Sequence, residues 1–123
     1  MSEQALLVGA AETRYTRRQE GETTLSLLAA AVRRALRDAD LAPADVDGLA
    51  TSSFSLRPDH AVDVAWRLGL RLRWLMEDTN GGASGLNMLQ HARRAIESGD
   101  ASVIVIAAGD SLEANAFRDL ADS

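Results

Sequence analysis

The sequence predicts an α/β domain with a mainly parallel β-sheet, in the element order β-α-β-α-β-α-β. Short apolar runs of strand length alternate with segments whose apolar residues recur at helical spacing. The clearest strand, residues 102–108, is continuous, β-branched and bracketed by Asp100 and Gly109, which is typical of a central strand covered on both faces. A chain of 123 residues is long enough for one domain with one core, but not for two.

Three further segments are predicted to be strands. The apolar run 6–11 ends in small residues, residues 48–52 follow a turn, and residues 72–79 alternate weakly between apolar and polar side chains. The tail, residues 112–120, is compatible with a helix.

The first long helix is predicted to begin after Thr23 or Thr24, either of which can serve as its N-cap. Its apolar stripe consists of Leu25, Leu28, Ala29, Val32, Leu36 and Ala39. A single turn is predicted within residues 41–47, where Pro43 suits the first helical position.

Two more helices are predicted to end at glycines. A short helix over residues 60–68 ends at Gly69, and a second long helix from about residue 83 to 98 ends at Gly99. Glycine favours such ends because it adopts the left-handed conformation without a steric cost.

The composition excludes several classes of chemistry. The chain has no cysteine, which excludes disulfides, zinc-thiolate sites and a cysteine nucleophile from it. All thirteen basic residues are arginine, so no lysine is available to form a Schiff base. The net charge is −5 and no basic run exceeds two residues, so nucleic-acid binding is not expected.

No membrane association is expected either. No stretch approaches the roughly 20 apolar residues of a membrane span. The N-terminus lacks the basic region and the long apolar run of a signal peptide. We therefore expect a cytoplasmic protein.

The order and spacing of several fragments resemble the N-terminal half of the thiolase superfamily. The later fragments are Asn80-Gly81-Gly82-Ala83-Ser84-Gly85-Leu86, Ile96-Glu97-Ser98-Gly99-Asp100-Ala101 and Val103-Ile104-Val105-Ile106-Ala107-Ala108-Gly109-Asp110. The earlier ones are Val8-Gly9-Ala10-Ala11-Glu12-Thr13, Leu28-Ala29-Ala30-Ala31, Asp38-Ala39-Asp40-Leu41 and Val46-Asp47-Gly48-Leu49. The match covers nearly all of the chain and is most similar to the thiolase-like lipid-transfer or acetyl-CoA acetyltransferase branch.

This resemblance implies that residues 1–123 are a partial thiolase-like N-terminal domain, lacking the second α/β half that holds the family's catalytic histidine and second cysteine. Members of that branch process acyl-CoA thioesters, some by retro-aldol and others by Claisen-type carbon–carbon chemistry. They often pair with a small subunit that contains a zinc ribbon and an OB-fold. The resemblance therefore implies acyl-CoA as a ligand, no covalently bound cofactor, and a homo- or hetero-oligomer with a thiolase-like second chain or an OB-fold/zinc-ribbon partner.

The resemblance also places Gly82 at the position of the family's nucleophilic cysteine. Glycine has no side chain, so this chain alone is not expected to form a covalent acyl-enzyme. Ser84 lies two residues further on, but the sequence places no histidine or aspartate to activate it. No catalytic residue is therefore assigned.

Asn80, Gly81 and Gly82 form a predicted glycine turn in front of the second long helix. In a functional interpretation, their backbone N–H groups bind a thioester oxygen or an anion, which makes Asn80, Gly81, Gly82 and Ser84 candidate ligand-binding residues. In a steric interpretation, the glycines only permit the tight strand-to-helix turn. The sequence leaves both open.

No metal site is predicted, because His60 and His91 have no sequence partners for metal or acid–base work. Glu77 and Asp78 resemble a carboxylate pair, but adjacent strand residues face opposite ways. As an alternative to a thioester-processing subunit, the chain could be a non-catalytic dimerisation or interaction module that pairs through the strand at residues 72–79.

Overall fold

The computed structural model describes residues 4–15, 21–56, 60–111 and 122, which form a three-stranded parallel β-sheet with helices on both faces. The α-helices are α1 (Thr24–Asp38), α2 (Ala61–Leu68) and α3 (Ser84–Ser98), and the strands are β1 (Gly48–Ser52), β2 (Trp74–Glu77) and β3 (Ile104–Ala108). Two single 3-10 turns lie at Pro43–Asp45 and Gly81–Ala83. The predicted α/β class and parallel sheet are confirmed.

The strands lie in the order β2-β1-β3, so β1 is paired on both sides. The chain moves from β1 to the adjacent β2 and then crosses back over β1 to reach β3. Because such crossovers are right-handed, the two opposite movements place α2 and α3 on opposite faces of the sheet. In agreement, α1 packs on α2, whereas α3 packs on β1 and β3.

The core is divided between these two faces. On the α1 and α2 side, the fully buried residues include Leu28, Val32 and Val64. On the other side, α3 buries Ser84, Met88, Ala92 and Ala95, which recur at helical spacing along one face. Helix α3 is thereby held firmly against the sheet, and its N-terminal turn is fixed relative to the strand ends.

Local signals place the helix ends as predicted. Thr23 is the N-cap of α1 and forms a capping box with Ser26, in which each side chain accepts a hydrogen bond from the other residue's backbone N–H. Gly69 and Gly99 end α2 and α3 with left-handed φ angles of 68° and 83°.

The prediction of a strand at residues 6–11 is wrong. This segment is irregular and lies against the C-terminal part of α1, where the Ala10 N–H donates to Asp38 Oδ2 at 3.0 Å. Gly9 packs so closely there that an added Cβ would lie 2.8 Å from the Ala35 carbonyl oxygen. A groove of about 290 Å³ therefore separates residues 6–11 from β3, and the segment does not pair with that strand.

The prediction that residues 102–108 form a central strand is also wrong within the described residues, where β1 is central and β3 lies at an edge. The β-branched run indicated burial correctly for Val105, but it carries no information about which strand lies alongside. The third predicted strand, residues 72–79, shortens to β2. Residues 112–120 lie outside the described residues.

Candidate functional site

The carboxyl ends of the three parallel strands meet at one edge of the sheet. Strand β2 leads into Asp78 and the glycine turn, β1 leads into residues 53–56, and β3 leads into Gly109 and Asp110. In open α/β sheets, ligands bind outside this edge.

Asp78 organises the start of α3. Its carboxylate is buried, at 6% exposure, and accepts hydrogen bonds from the Ser84 hydroxyl at 2.6 Å and from the Asn80 N–H at 2.9 Å. The side-chain amide of Asn87 donates to its second oxygen. These bonds connect the end of β2 to the first turn of α3 and fix the glycine turn between them.

These donors also stabilise the charged form of Asp78. The Ser84 hydroxyl, then the Asn87 amide and the Asn80 N–H, lower the pKa of Asp78 from 3.8 to about 2, although burial acts in the opposite direction. A carboxylate with so low a pKa, whose oxygens are already hydrogen-bonded, is a poor proton acceptor. We therefore assign Asp78 to holding the turn.

The backbone conformation requires a glycine at one of the two glycine positions of the turn and not at the other. Gly81 has a φ of +61°, in the left-handed region that favours glycine. Gly82 is exposed, its φ is not positive, and a Cβ added there would meet nothing within 4 Å. The steric interpretation therefore accounts for Gly81 but not for Gly82.

The backbone of the turn also has unused donors. Within the described residues, neither the Gly81 N–H nor the Gly82 N–H donates a hydrogen bond to a protein acceptor, whereas Ala83 N–H donates to the Asn80 carbonyl. Two free backbone donors in front of a buried helix can accept an oxygen that carries negative charge.

The four predicted ligand-binding residues do not all lie on the surface of this turn. Asn80 and Gly82 are exposed and Gly81 is half-buried. Ser84 is only 1% exposed and its hydroxyl points inward to Asp78. In this geometry Ser84 positions the turn and does not present its oxygen to a ligand.

A second carboxylate, Asp110, organises the loop after β1. Its Oδ1 accepts hydrogen bonds from the Ser53 and Ser55 hydroxyls at 2.7 and 2.6 Å, and from the Phe54 and Ser55 N–H groups at 2.8 and 2.9 Å. The end of β3 thereby holds the loop at the end of β1. The Phe54 ring lies beside the glycine turn, with its Cζ 4.0 Å from the point where a Cβ on Gly81 would lie.

Sequence reasoning missed the roles of Asp78 and Asp110. Its argument about Glu77 and Asp78 is confirmed, since Glu77 accepts a hydrogen bond from the Ala61 N–H at the start of α2, whereas Asp78 reaches α3 on the opposite face. A signal for Asp78 was present in the spacing along α3, because Ser84 lies four residues before Met88 and eight before Ala92 and so falls on the same face of the helix. A polar residue on a buried face requires a partner.

Two other expectations concern histidines and metals. His60 precedes α2 and His91 lies on α3, and both are exposed. Among residues 4–15, 21–56, 60–111 and 122, no three His, Asp or Glu residues are grouped so that they could hold a metal ion. No helix in this part of the chain is both long enough and apolar enough to cross a membrane.

Comparisons with known proteins identify relatives by sequence. The chain is 37% identical over 105 residues to the 17-hydroxy-3-oxo-4-pregnene-20-carboxyl-CoA lyase of Mycobacterium tuberculosis, covering 85% of this chain and 27% of that protein. It is 32% identical over 102 residues to the steroid side-chain-cleaving aldolase of Thermomonospora curvata, covering 82% of this chain and 25% of that protein. No protein-family model matches the chain.

Solved structures show the same relationship. The Ltp2-ChsH2(DUF35) aldolase matches with a TM-score of 0.76 and 27% identity, over 92% of this chain and 31% of that one. OleA from Xanthomonas campestris, of the thiolase superfamily, matches in fold with a TM-score of 0.69 and 22% identity, over 83% of this chain and 31% of that one. The chain therefore has a thiolase-like fold. It spans about a quarter of the length of the curated relatives it matches.

Proposed function

We propose that this chain is a thiolase-fold segment or subunit that handles CoA thioesters in carbon–carbon bond chemistry, within a larger assembly and without a cysteine nucleophile of its own. The observation that carries the proposal is the glycine turn, which combines free backbone donors with an open position at Gly82. The similarity to two proteins named as a CoA-ester lyase and a side-chain-cleaving aldolase supports it.

Retro-aldol cleavage is compatible with a glycine at residue 82. In such a reaction a base takes the proton of a β-hydroxyl group, the Cα–Cβ bond breaks and a carbonyl forms at Cβ. The released electron pair becomes a thioester enolate, which is then protonated at Cα. No acyl group is transferred to the protein, so no nucleophilic side chain is needed.

The turn would act on the developing charge. As the enolate forms, negative charge grows on the thioester oxygen, and backbone N–H groups are effective donors to such an oxygen. We assign that role to the Gly81 and Gly82 N–H groups. We assign the base to the rest of the assembly, because Asp78 has a pKa of about 2 and is engaged with Ser84. The other carboxylate at this edge, Asp110, already accepts four hydrogen bonds through Oδ1.

We expect the natural gene product, purified with whatever chains accompany it, to bind decanoyl-CoA in a calorimetric titration. The change Gly82→Ala is expected to weaken this binding about tenfold, because a methyl group would stand where the thioester approaches the backbone. The free energy of unfolding should change by less than about 0.5 kcal/mol, because a Cβ meets nothing at this position.

Gly81→Ala is the comparison variant for stability, because the same glycine-to-alanine change is made at a residue with a left-handed φ. We expect it to lower the free energy of unfolding by about 1 kcal/mol, unlike Gly82→Ala. If the unmodified assembly binds no acyl-CoA, the proposed function is wrong.

A non-catalytic interaction module is the second candidate. The observation that favours it is the position of β2 at an edge of the sheet in the described part of the chain, with Leu75 45% exposed. A second copy could extend the sheet there. Light scattering would support this candidate if it shows a dimer that binds no acyl-CoA, and a monomer would exclude it.

A further inference from the structure

We propose that Phe54 determines the acyl specificity of the candidate thioester site, its ring forming an apolar wall beside the glycine turn against which the apolar acyl group packs. This inference rests on the proposed function and deepens it. No described contact of the glycine turn itself selects one acyl group over another, because its free donors are backbone N–H groups.

The exposure of the ring carries the first part of the argument. Phe54 is 54% exposed although it is a large apolar side chain, and its ring edge lies next to Gly81. Gly82, the next residue, adds no side chain to the turn. The aromatic ring therefore lies side by side with the backbone donors of the turn at this edge of the sheet.

The backbone that carries the ring is fixed. The Phe54 N–H donates to Asp110 Oδ1 at 2.8 Å, and the Leu56 N–H donates to the Ser53 hydroxyl oxygen at 3.1 Å. Leu56 is buried at 3% exposure and anchors the end of the loop in the core. The ring is thus held at the surface by the residues on either side of it and by the end of β3.

The position of the Phe54 loop in the sheet favours a small ligand, and not a protein partner, as the group that packs against the ring. The Phe54 loop follows β1, the central strand, at the carboxyl edge where ligands of open α/β sheets bind. A thioester has both a polar carbonyl oxygen and an apolar acyl group. Ligand sites typically combine apolar walls with a few placed polar groups in this way.

The test compares two thioesters that differ only in their acyl group. Decanoyl-CoA and acetyl-CoA are titrated into the natural gene product with its accompanying chains, as wild type, Phe54→Ala and Phe54→Leu. Phe54→Ala is expected to weaken decanoyl-CoA binding about tenfold and to leave acetyl-CoA binding within about twofold. Phe54→Leu keeps an apolar wall and should retain most of the decanoyl-CoA affinity.

Trp66→Ala is the matched control, because Trp66 is an aromatic residue that is 87% exposed on α2, on the opposite face of the sheet from α3. It should leave both affinities unchanged. The inference is overturned if Phe54→Ala weakens both thioesters equally or neither, or if it releases the accompanying chains, which would make the ring a protein contact. Failure of wild type to bind either thioester would instead refute the proposed function itself.

Discussion

At the scale of single residues, Asp78 connects the end of one strand to the start of the next helix. Its charge is stabilised by the Ser84 hydroxyl, the Asn87 amide and the Asn80 N–H, all within the nine residues that follow it. Because each of these donors favours the ionised form, the connection depends on that form being present.

This dependence predicts a pH effect on stability. The pKa of Asp78 falls from 3.8 to about 2 on folding, so its contribution to the free energy of unfolding is fully present above about pH 4 and is lost as the pH falls toward 2. We expect Asp78→Asn to be less stable than wild type at pH 7, and to lose less stability than wild type between pH 4 and 2. Urea unfolding across pH 2–7 measures both.

Asp100→Asn provides the control, because Asp100 is exposed and its carboxylate has no hydrogen-bond partner among the described residues. That variant should follow the wild-type profile. Parallel pH profiles of Asp78→Asn and wild type would contradict the role assigned to Asp78.

At the scale of elements, strand β3 has one paired side and one open side within the described residues. The Val103 carbonyl accepts from Gly48 and the Gly109 N–H donates to Ser52, both in β1. Since successive residues of a strand alternate in direction, the N–H groups of Val105 and Ala107 also point to β1. Those of Ile104 and Ile106 point toward the groove beside residues 6–11.

Hydrogen exchange should therefore alternate along β3. In the 123-residue chain alone, we expect the Ile104 and Ile106 amides to exchange at least tenfold faster than those of Val105 and Ala107. Exchange measured by NMR at single residues provides this comparison within one strand. Equal protection of all four amides would show that a further segment pairs with β3.

Much of this element structure could be predicted from sequence because its causes are local. The α1 stripe, the Thr23 cap and the glycines at 69 and 99 act within one or two helical turns, and the corresponding helix ends are confirmed. Strand β1 is confirmed with its predicted bounds. The position of β3 was not predictable, because strand order depends on the packing of segments distant in sequence, such as Gly9 against α1.

The candidate site also has some features that could be predicted from local sequence and others that could not. The glycine turn was predictable because strand, glycines and helix follow one another in the chain. The bond from Ser55 to Asp110 spans 55 residues, so no local pattern indicates it. Asp78 is an intermediate case, since its partners Ser84 and Asn87 follow six and nine residues later, on the next helix.

At the scale of the whole molecule, the chain leaves large apolar side chains uncovered on the outer surface of α3. Leu86 is 77% exposed and Leu89 is 43% exposed, on the side of the helix away from Met88 and Ala92. Neighbouring exposed apolar side chains of this kind are typical of an interaction surface, and we infer one here. The surface begins directly after the glycine turn, so a chain that covers it would also approach the candidate site.

We therefore expect Leu86→Gln to weaken the assembly without unfolding the chain. An exposed substitution should change the free energy of unfolding by less than about 0.5 kcal/mol. Burying a leucine in an interface contributes about 2 kcal/mol to the free energy of association, so its loss corresponds to about a 30-fold loss in association affinity.

Sedimentation velocity over a concentration series measures the association, and urea unfolding measures the stability. Arg94→Gln, an exposed change on the same helix that removes no apolar area, should leave both unchanged. An intact Leu86→Gln assembly would mean that α3 faces solvent there, and that whatever completes the site approaches from the sheet edges instead.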